Sequence, residues 1–157
     1  MKTEKFTLWD NIPGTYDSVP EIVAYIPENK KTDSAVIIFP GGGYSNVSPR
    51  EGEPIAMQFL SKGFQAFVVK YTICPKNYTQ PLRDATRAIC MVRDNCEKWR
   101  VDPNQIAVIG FSAGGHLTAN LAVEYAAVSG YLGREIDAKP TAVGLGYPVI
   151  TNKTSYG

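Results

Sequence analysis

The sequence predicts an α/β fold, a mostly parallel, doubly wound sheet held between two layers of helices. Three observations carry this. Short apolar runs of strand length recur along the chain, and several have no polar residue to face water, as in strands buried on both faces. Segments of helical period lie between the later runs, so strand and helix alternate as parallel crossovers require. Two glycine-rich segments follow directly on two of the runs, at the strand ends where such sheets carry their sites.

The elements follow in order. Residues 6–9 (FTLW) read as a short first strand and 21–26 as a second, ended by Pro27. With no helical segment between them, the two form an antiparallel pair at one edge of the sheet. Residues 35–39 (AVIIF) are wholly apolar, and 65–71 and 105–109 read the same way; 142–147 is a sixth candidate. A helix over 54–62 places Ile55, Phe59 and Leu60 on one face, and Gly63 stops it. Leu82, Ala85, Ile89, Val92, Cys96 and Trp99 recur at spacings of three and four and predict one long helix. A further helix begins near Ala113 and carries Leu117, Leu121, Tyr125 and Val128. One domain over residues 1–157 is expected, six strands with helices on both faces.

The bulk composition agrees. The chain has 157 residues, 44% hydrophobic and 20% charged, enough for one core. A net charge of +1 gives no reason to expect nucleic acid or an anionic membrane as partner. No run is long and apolar enough to span a bilayer, and MKTEKFTLWDNIPG is too polar for a signal peptide, so a cytoplasmic location is expected. Cys74, Cys90 and Cys96 form no CxxC or zinc pattern and are expected to be packing residues.

The chemistry is concentrated in two places. The strand at 105–109 runs straight into Gly110-Phe111-Ser112-Ala113-Gly114, and a helix follows at once. This is G-x-S-x-G in the setting a nucleophile elbow needs: a serine in a strained strand-to-helix turn, with residues two away on each side lacking side chains. The helix N-terminus behind Ser112 adds a positive dipole where negative charge will develop. A dinucleotide site would want glycine at 112, and a P-loop would want Gly-Lys-Ser/Thr; neither is present. The second place is Pro40-Gly41-Gly42-Gly43-Tyr44, after AVIIF, where three glycines let backbone N–H groups converge on a small anion.

The pair PGGGY and GFSAGGHL, with VDPNQIAVIG before the serine, resembles the α/β-hydrolase fold, and within it the hormone-sensitive-lipase-like group and bacterial acetyl esterases. The resemblance covers about residues 6–150. It implies that Ser112 is the nucleophile, that Gly42, Gly43 and Ala113 donate to the oxyanion, and that the substrate is a short-chain, acetyl, ester such as an acetylated sugar or xylan. Pro40 stands where many relatives have histidine. No metal or organic cofactor is implied, and the expected partner is a small ester, with a homo-oligomer open.

The partners of Ser112 are the difficulty. A serine hydroxyl needs a base and the base an orienting acid, in the chain order Ser, Asp or Glu, His. After Ser112 the acids are Glu124, Glu135 and Asp137, none following a seventh strand, and the one histidine is His116. His116 is expected to be buried and structural, one helical turn behind the serine. The chain is therefore expected to be incomplete at its C-terminus, with acid and histidine beyond residue 157 and 142–147 left as an apolar edge. Tyr44 and Ser45 are candidates for the substrate pocket; Ser45, Asn46, Arg50 and Glu51 read at least as well as a solvated loop as they do as the rim of a substrate mouth, and residues 71–75 are candidates for shaping the acyl or alcohol pocket. Asp84 suits a helix N-terminus, with an arginine near it. Asp102-Pro103-Asn104 reads as a turn. Three other readings stay open: a non-catalytic binding module, an association module pairing through its last strand, and a peptidase of the same fold.

Overall fold

A computed structural model describes residues 1–10, 19–75, 77, 79–129 and 138–151, with the backbone alone at 127–129. Among these residues six strands form one sheet: β1 (Lys2–Thr7), β2 (Glu21–Ile26), β3 (Ala35–Phe39), β4 (Gln65–Lys70), β5 (Ile106–Phe111) and β6 (Ala142–Gly146). Their order is β1-β2-β4-β3-β5-β6. β1 and β2 are antiparallel to each other, β2 is antiparallel to β4, and the remaining pairs are parallel.

Among the described residues, four α-helices accompany them: α1 (Glu53–Ser61), α2 (Thr79–Asp94), α3 (Cys96–Trp99) and α4 (Ala113–Ser129). The pleat sends alternate residues of β3 to opposite faces. Val36 and Ile38 pack with Ala56 of α1, while Ile37 and Phe39 pack with Leu82 and Ile89 of α2 and Leu117 and Leu121 of α4. These are the three layers expected, with β3 fully covered on both sides.

The order also fixes where a site can form. From β3 the chain moves to one side, to β4, and then crosses back to β5 on the other side. The crevice above the carboxyl ends of β3 and β5 is therefore the topological switch point. Both glycine-rich segments open into it. No helix among the described residues is long and apolar enough to cross a membrane.

Two elements differ from expectation. The first strand lies at 2–7 rather than 6–9: its exposed positions carry Lys2 and Lys5, which pair with Glu4 and Glu21 at 2.7 and 2.8 Å. Leu8, just past it, is fully buried. The long helix breaks at Asn95, whose side-chain amide donates to the Met91 carbonyl at 2.8 Å. Trp99 still reaches the core, where it meets Phe6 and Phe67 at ring separations of 5.6 and 5.0 Å. The Val128 side chain and residues 152–157 lie outside the described residues. Within β6, Val143 and Leu145 are exposed, as expected of an apolar edge.

Candidate active site

Ser112 sits between the last residue of β5 and the first of α4 with φ 52, in the left-handed region that non-glycine residues rarely occupy. Its backbone is held on both sides. Its N–H donates to the Gly146 carbonyl at 3.0 Å, and its carbonyl accepts from His116 N and Val149 N at 3.0 and 3.1 Å. The flanking glycines are required by close approach. A Cβ on Gly110 would lie 2.1 Å from the Gly114 carbonyl oxygen, and one on Gly114 would lie 2.0 Å from that of Phe39. The second contact brings the elbow directly against the end of β3.

The glycine loop lies on the same spot. A Cβ on Gly41 would fall 2.9 Å from the Ser112 Cβ and 2.8 Å from the Glu51 carboxylate. Gly42 and Gly43 follow with φ 134 and φ 61, and Tyr44 with φ 60. Such a run of positive φ turns successive amides outward. Ala113 opens α4, and the first N–H groups of a helix have no intrahelical partner. Gly43, Tyr44, Ala113 and His116 share one cavity of about 540 Å³ with Val149, Ile150 and Thr151.

The loop is braced along its length. The buried Tyr71 hydroxyl donates to the Pro40 carbonyl at 2.6 Å. Glu51 accepts from the Gly41 N–H at 2.6 Å, and Ser48 N donates to the Gly41 carbonyl at 2.8 Å. The Gly42 carbonyl accepts from Ser45 N, Asn46 N and the Ser45 hydroxyl. The Tyr44 carbonyl accepts from Cys74 N at 2.6 Å. Burial pushes the Tyr44 phenol up to about 12, so it stays protonated at neutral pH.

Several expectations change here. His116 is half-buried and faces the cavity rather than the sheet. Its Nε2 lies 3.3 Å from Asn120 Nδ2, and its Nδ1 lies 2.8 Å from the Tyr44 hydroxyl. Both ring nitrogens are thus engaged away from Ser112. Ser45 is exposed and spends its hydroxyl on Gly42 instead of lining the cavity. Cys74 is exposed at φ 47, not a packing residue; Cys90 is buried and Cys96 half-buried. Tyr71 and Thr72 are buried: Tyr71 holds the loop at Pro40 and Thr72 bonds Asp84, so neither hydroxyl is turned to a substrate pocket.

The acids are equally placed. Glu124 lies in α4 twelve residues after Ser112, about 18 Å along the helix. Glu135 and Asp137 lie outside the described residues. Asp84 is fully buried and accepts from Trp9 Nε1, Thr72 N and the Thr72 hydroxyl at 2.8, 2.8 and 2.6 Å, which makes it a structural pin. Asp102 accepts from Asn104 N at 2.9 Å in the turn expected there. Among the described residues no group of three His, Cys, Asp or Glu could hold a metal ion.

The model of the BD-FAE family matches residues 23–140. The chain is 35% identical over 155 residues to endo-1,4-beta-xylanase B of Butyrivibrio fibrisolvens, covering 90% of this chain and 23% of that protein. It is 34% identical over 149 residues to the acetylxylan esterase of Xylanibacter ruminicola, covering 94% and 28%. Among solved structures, the acetyl ester-xyloside bifunctional hydrolase from Caldicellulosiruptor lactoaceticus superposes with TM-score 0.80 at 37% identity, covering 94% of this chain and 57% of that one. MGS-M1, an α/β hydrolase from a Medee basin deep-sea metagenome library, gives 0.79 at 35% identity, covering 99% and 60%. The chain thus spans about a quarter of those curated relatives and about three fifths of those solved chains.

Proposed function

The chain belongs to the BD-FAE family, with the α/β-hydrolase fold, and from that premise we propose that it is a serine carboxylic ester hydrolase acting on short-chain, acetyl, esters. The observation that carries the reading is the strained Ser112 at the strand end with the glycine loop against its Cβ. In the proposed reaction the Ser112 hydroxyl attacks the ester carbonyl. The oxyanion that forms is held by N–H groups of Gly42, Gly43 and Ala113, preorganised and partly shielded from water. Collapse expels the alcohol and leaves an acyl-serine, which water then hydrolyses.

The proton relay needs a base and an acid. His116 does not fit the role, because its nitrogens serve Asn120 and Tyr44. The proposed mechanism therefore takes both groups from outside the described residues. Tyr44 fits a role in the substrate pocket, since it lines the cavity beside Ala113. Acetylated sugars or xylan are the proposed substrate class, supported by the acetylxylan esterase and the acetyl ester-xyloside hydrolase among the similar proteins.

The test is fluorophosphonate labelling of the full-length protein, together with acetate release from acetylated xylan. Label is expected on Ser112, and Ser112→Ala is expected to lower kcat by about 10³-fold or more. A full-length protein that takes no label would leave a non-catalytic module as the better reading. Faster cleavage of a peptide anilide than of an acetyl ester would favour a peptidase.

A further inference from the structure

Glu51 is the side chain whose role is least explained by the sequence. It lies at the end of a single 3-10 turn, Pro49–Glu51, ten residues beyond the Gly41 it touches. One carboxylate oxygen accepts from the Gly41 N–H at 2.6 Å; the other accepts from the Tyr147 hydroxyl, also at 2.6 Å. Those two residues belong to opposite walls of the site. Gly41 begins the oxyanion loop. Tyr147 follows β6 at φ 34, between Gly146 and Val149, the two residues that bond the Ser112 backbone from the far side.

Resting on the ester-hydrolase reading, we infer that Glu51 is a positioning residue: its carboxylate clamps the oxyanion loop to the turn after β6 and so sets the direction of the Gly42 and Gly43 amides. Three points carry this. Bonds from a charged carboxylate are short and directional, and stronger than neutral ones. The bond to Gly41 N–H and the Ser48 bond to its carbonyl fix both backbone groups of the residue preceding the donors. The same carboxylate reaches the Tyr147 hydroxyl through its other oxygen, so one side chain joins the two walls. A Cβ on Gly41 would fall 2.8 Å from this carboxylate and 2.9 Å from the Ser112 Cβ, so the missing side chain is what lets clamp, loop and elbow meet at one point.

The experiment compares Glu51→Ala, Glu51→Gln and Tyr147→Phe in the full-length protein with p-nitrophenyl acetate. Glu51→Ala is expected to lower kcat about 10- to 100-fold with KM within about twofold, because donor alignment matters most in the transition state. Affinity for a boronic acid transition-state analogue should fall by the same factor. Glu51→Gln keeps an acceptor for Gly41 and should return to within about fivefold of wild type. Tyr147→Phe removes one arm and should cost kcat about two- to fivefold. A wild-type kcat in Glu51→Ala would overturn the proposal, as would a loss matched by the fall in folded fraction. If the alanine variant does not fold, Tyr147→Phe decides: reduced kcat at constant KM supports the clamp, and unchanged kcat overturns it. If the wild type is neither labelled nor active, the ester-hydrolase reading fails on its own. The clamp is then read from hydrogen exchange at the Gly41 amide, whose protection Glu51→Ala should abolish and Glu51→Gln should keep.

Discussion

Residues 40–44 and 146–151 flank the same serine, yet the protein holds them in different ways. On the glycine side, Pro40, Gly41, Gly42 and Tyr44 each have a backbone group tied to a partner, and buried Tyr71 and Asp84 stand behind them. On the β6 side, Gly146 and Val149 bond the Ser112 backbone, but the side chains of Tyr147, Val149 and Ile150 are exposed. Beyond them the sheet face shows an apolar groove of about 430 Å³ over β5 and β6, beside Phe59 and Phe64. The difference separates two tasks. In the proposed reaction, holding the developing negative charge needs fixed amides, the part proposed for the glycine loop and Ala113. Delivering a base needs a side chain that the described residues on the β6 side do not contribute.

The sharpest way to break the comparison is at the contact between elbow and loop. Gly114→Ala would force a Cβ to 2.0 Å from the Phe39 carbonyl oxygen and 2.5 Å from that of Pro40, where backbone has no freedom to move. The expected cost is about 3 kcal/mol or more, seen as loss of folded protein in a thermal melt. A stable, folded Gly114→Ala protein would mean that α4 can slide away from β3, and the rigidity assigned to this wall would be wrong.

Next in size is the pin behind the loop. Asp84→Ala leaves Trp9 Nε1 and both donors of Thr72 without their acceptor in the core, at a cost of about 3 kcal/mol by denaturant titration. Burial raises the Asp84 carboxyl above its ordinary 3.8, against the opposing pull of the Thr72 and Trp9 donors. A folded-state value above the unfolded one means that the native protein binds this proton more tightly. That contribution is complete below pH 3.8 and is lost as pH rises through the raised value. Asp84→Asn should flatten this part of the pH dependence, and an unaltered profile would show that another group titrates there.

A smaller effect tests whether the brace reaches the chemistry. Tyr71→Phe removes the buried hydroxyl bond to the Pro40 carbonyl and nothing else. It should cost about 1 to 2 kcal/mol in stability. If Pro40 sets the entry to the loop, kcat for an acetyl ester should also fall a fewfold at constant KM. A stability loss with unchanged kcat would place the bracing at Gly41 and Tyr44 alone.

The comparison also marks what could be read in advance. AVIIF and the run before Gly110 were legible as strands because burial on both faces leaves no polar position. The elbow and the glycine loop were legible because close approach forbids side chains, and that restriction shows in the sequence as glycine. The edge strand was not, since Lys2, Glu4 and Lys5 carry no apolar pattern. The break at Asn95 was hidden by a period that Cys96 and Trp99 continue across it. The Glu51 clamp, the Tyr71 brace and the Asp84 pin join residues far apart in the chain, and no local spacing encodes them. His116 was misplaced for a related reason. Its helix position was clear, but its orientation is set by Tyr44 and Asn120.

The smallest expected effect tests the open side of the comparison. Leu145 in β6 is 47% exposed, while its neighbours Gly144 and Gly146 lie under Ile109 and Phe111 on the other face. Leu145→Lys should therefore change the stability of the 157-residue chain by less than about 0.5 kcal/mol, as substitutions at exposed sites do. It should also reduce any self-association seen by size-exclusion chromatography, because an inserted charge is an effective guard on an apolar edge strand. A loss of about 2 kcal/mol or more would show that another surface covers Leu145 in solution. The β6 wall would then be as well supported as the glycine wall, and the difference between the two would lie in what packs against β6 rather than in how the chain holds its own serine.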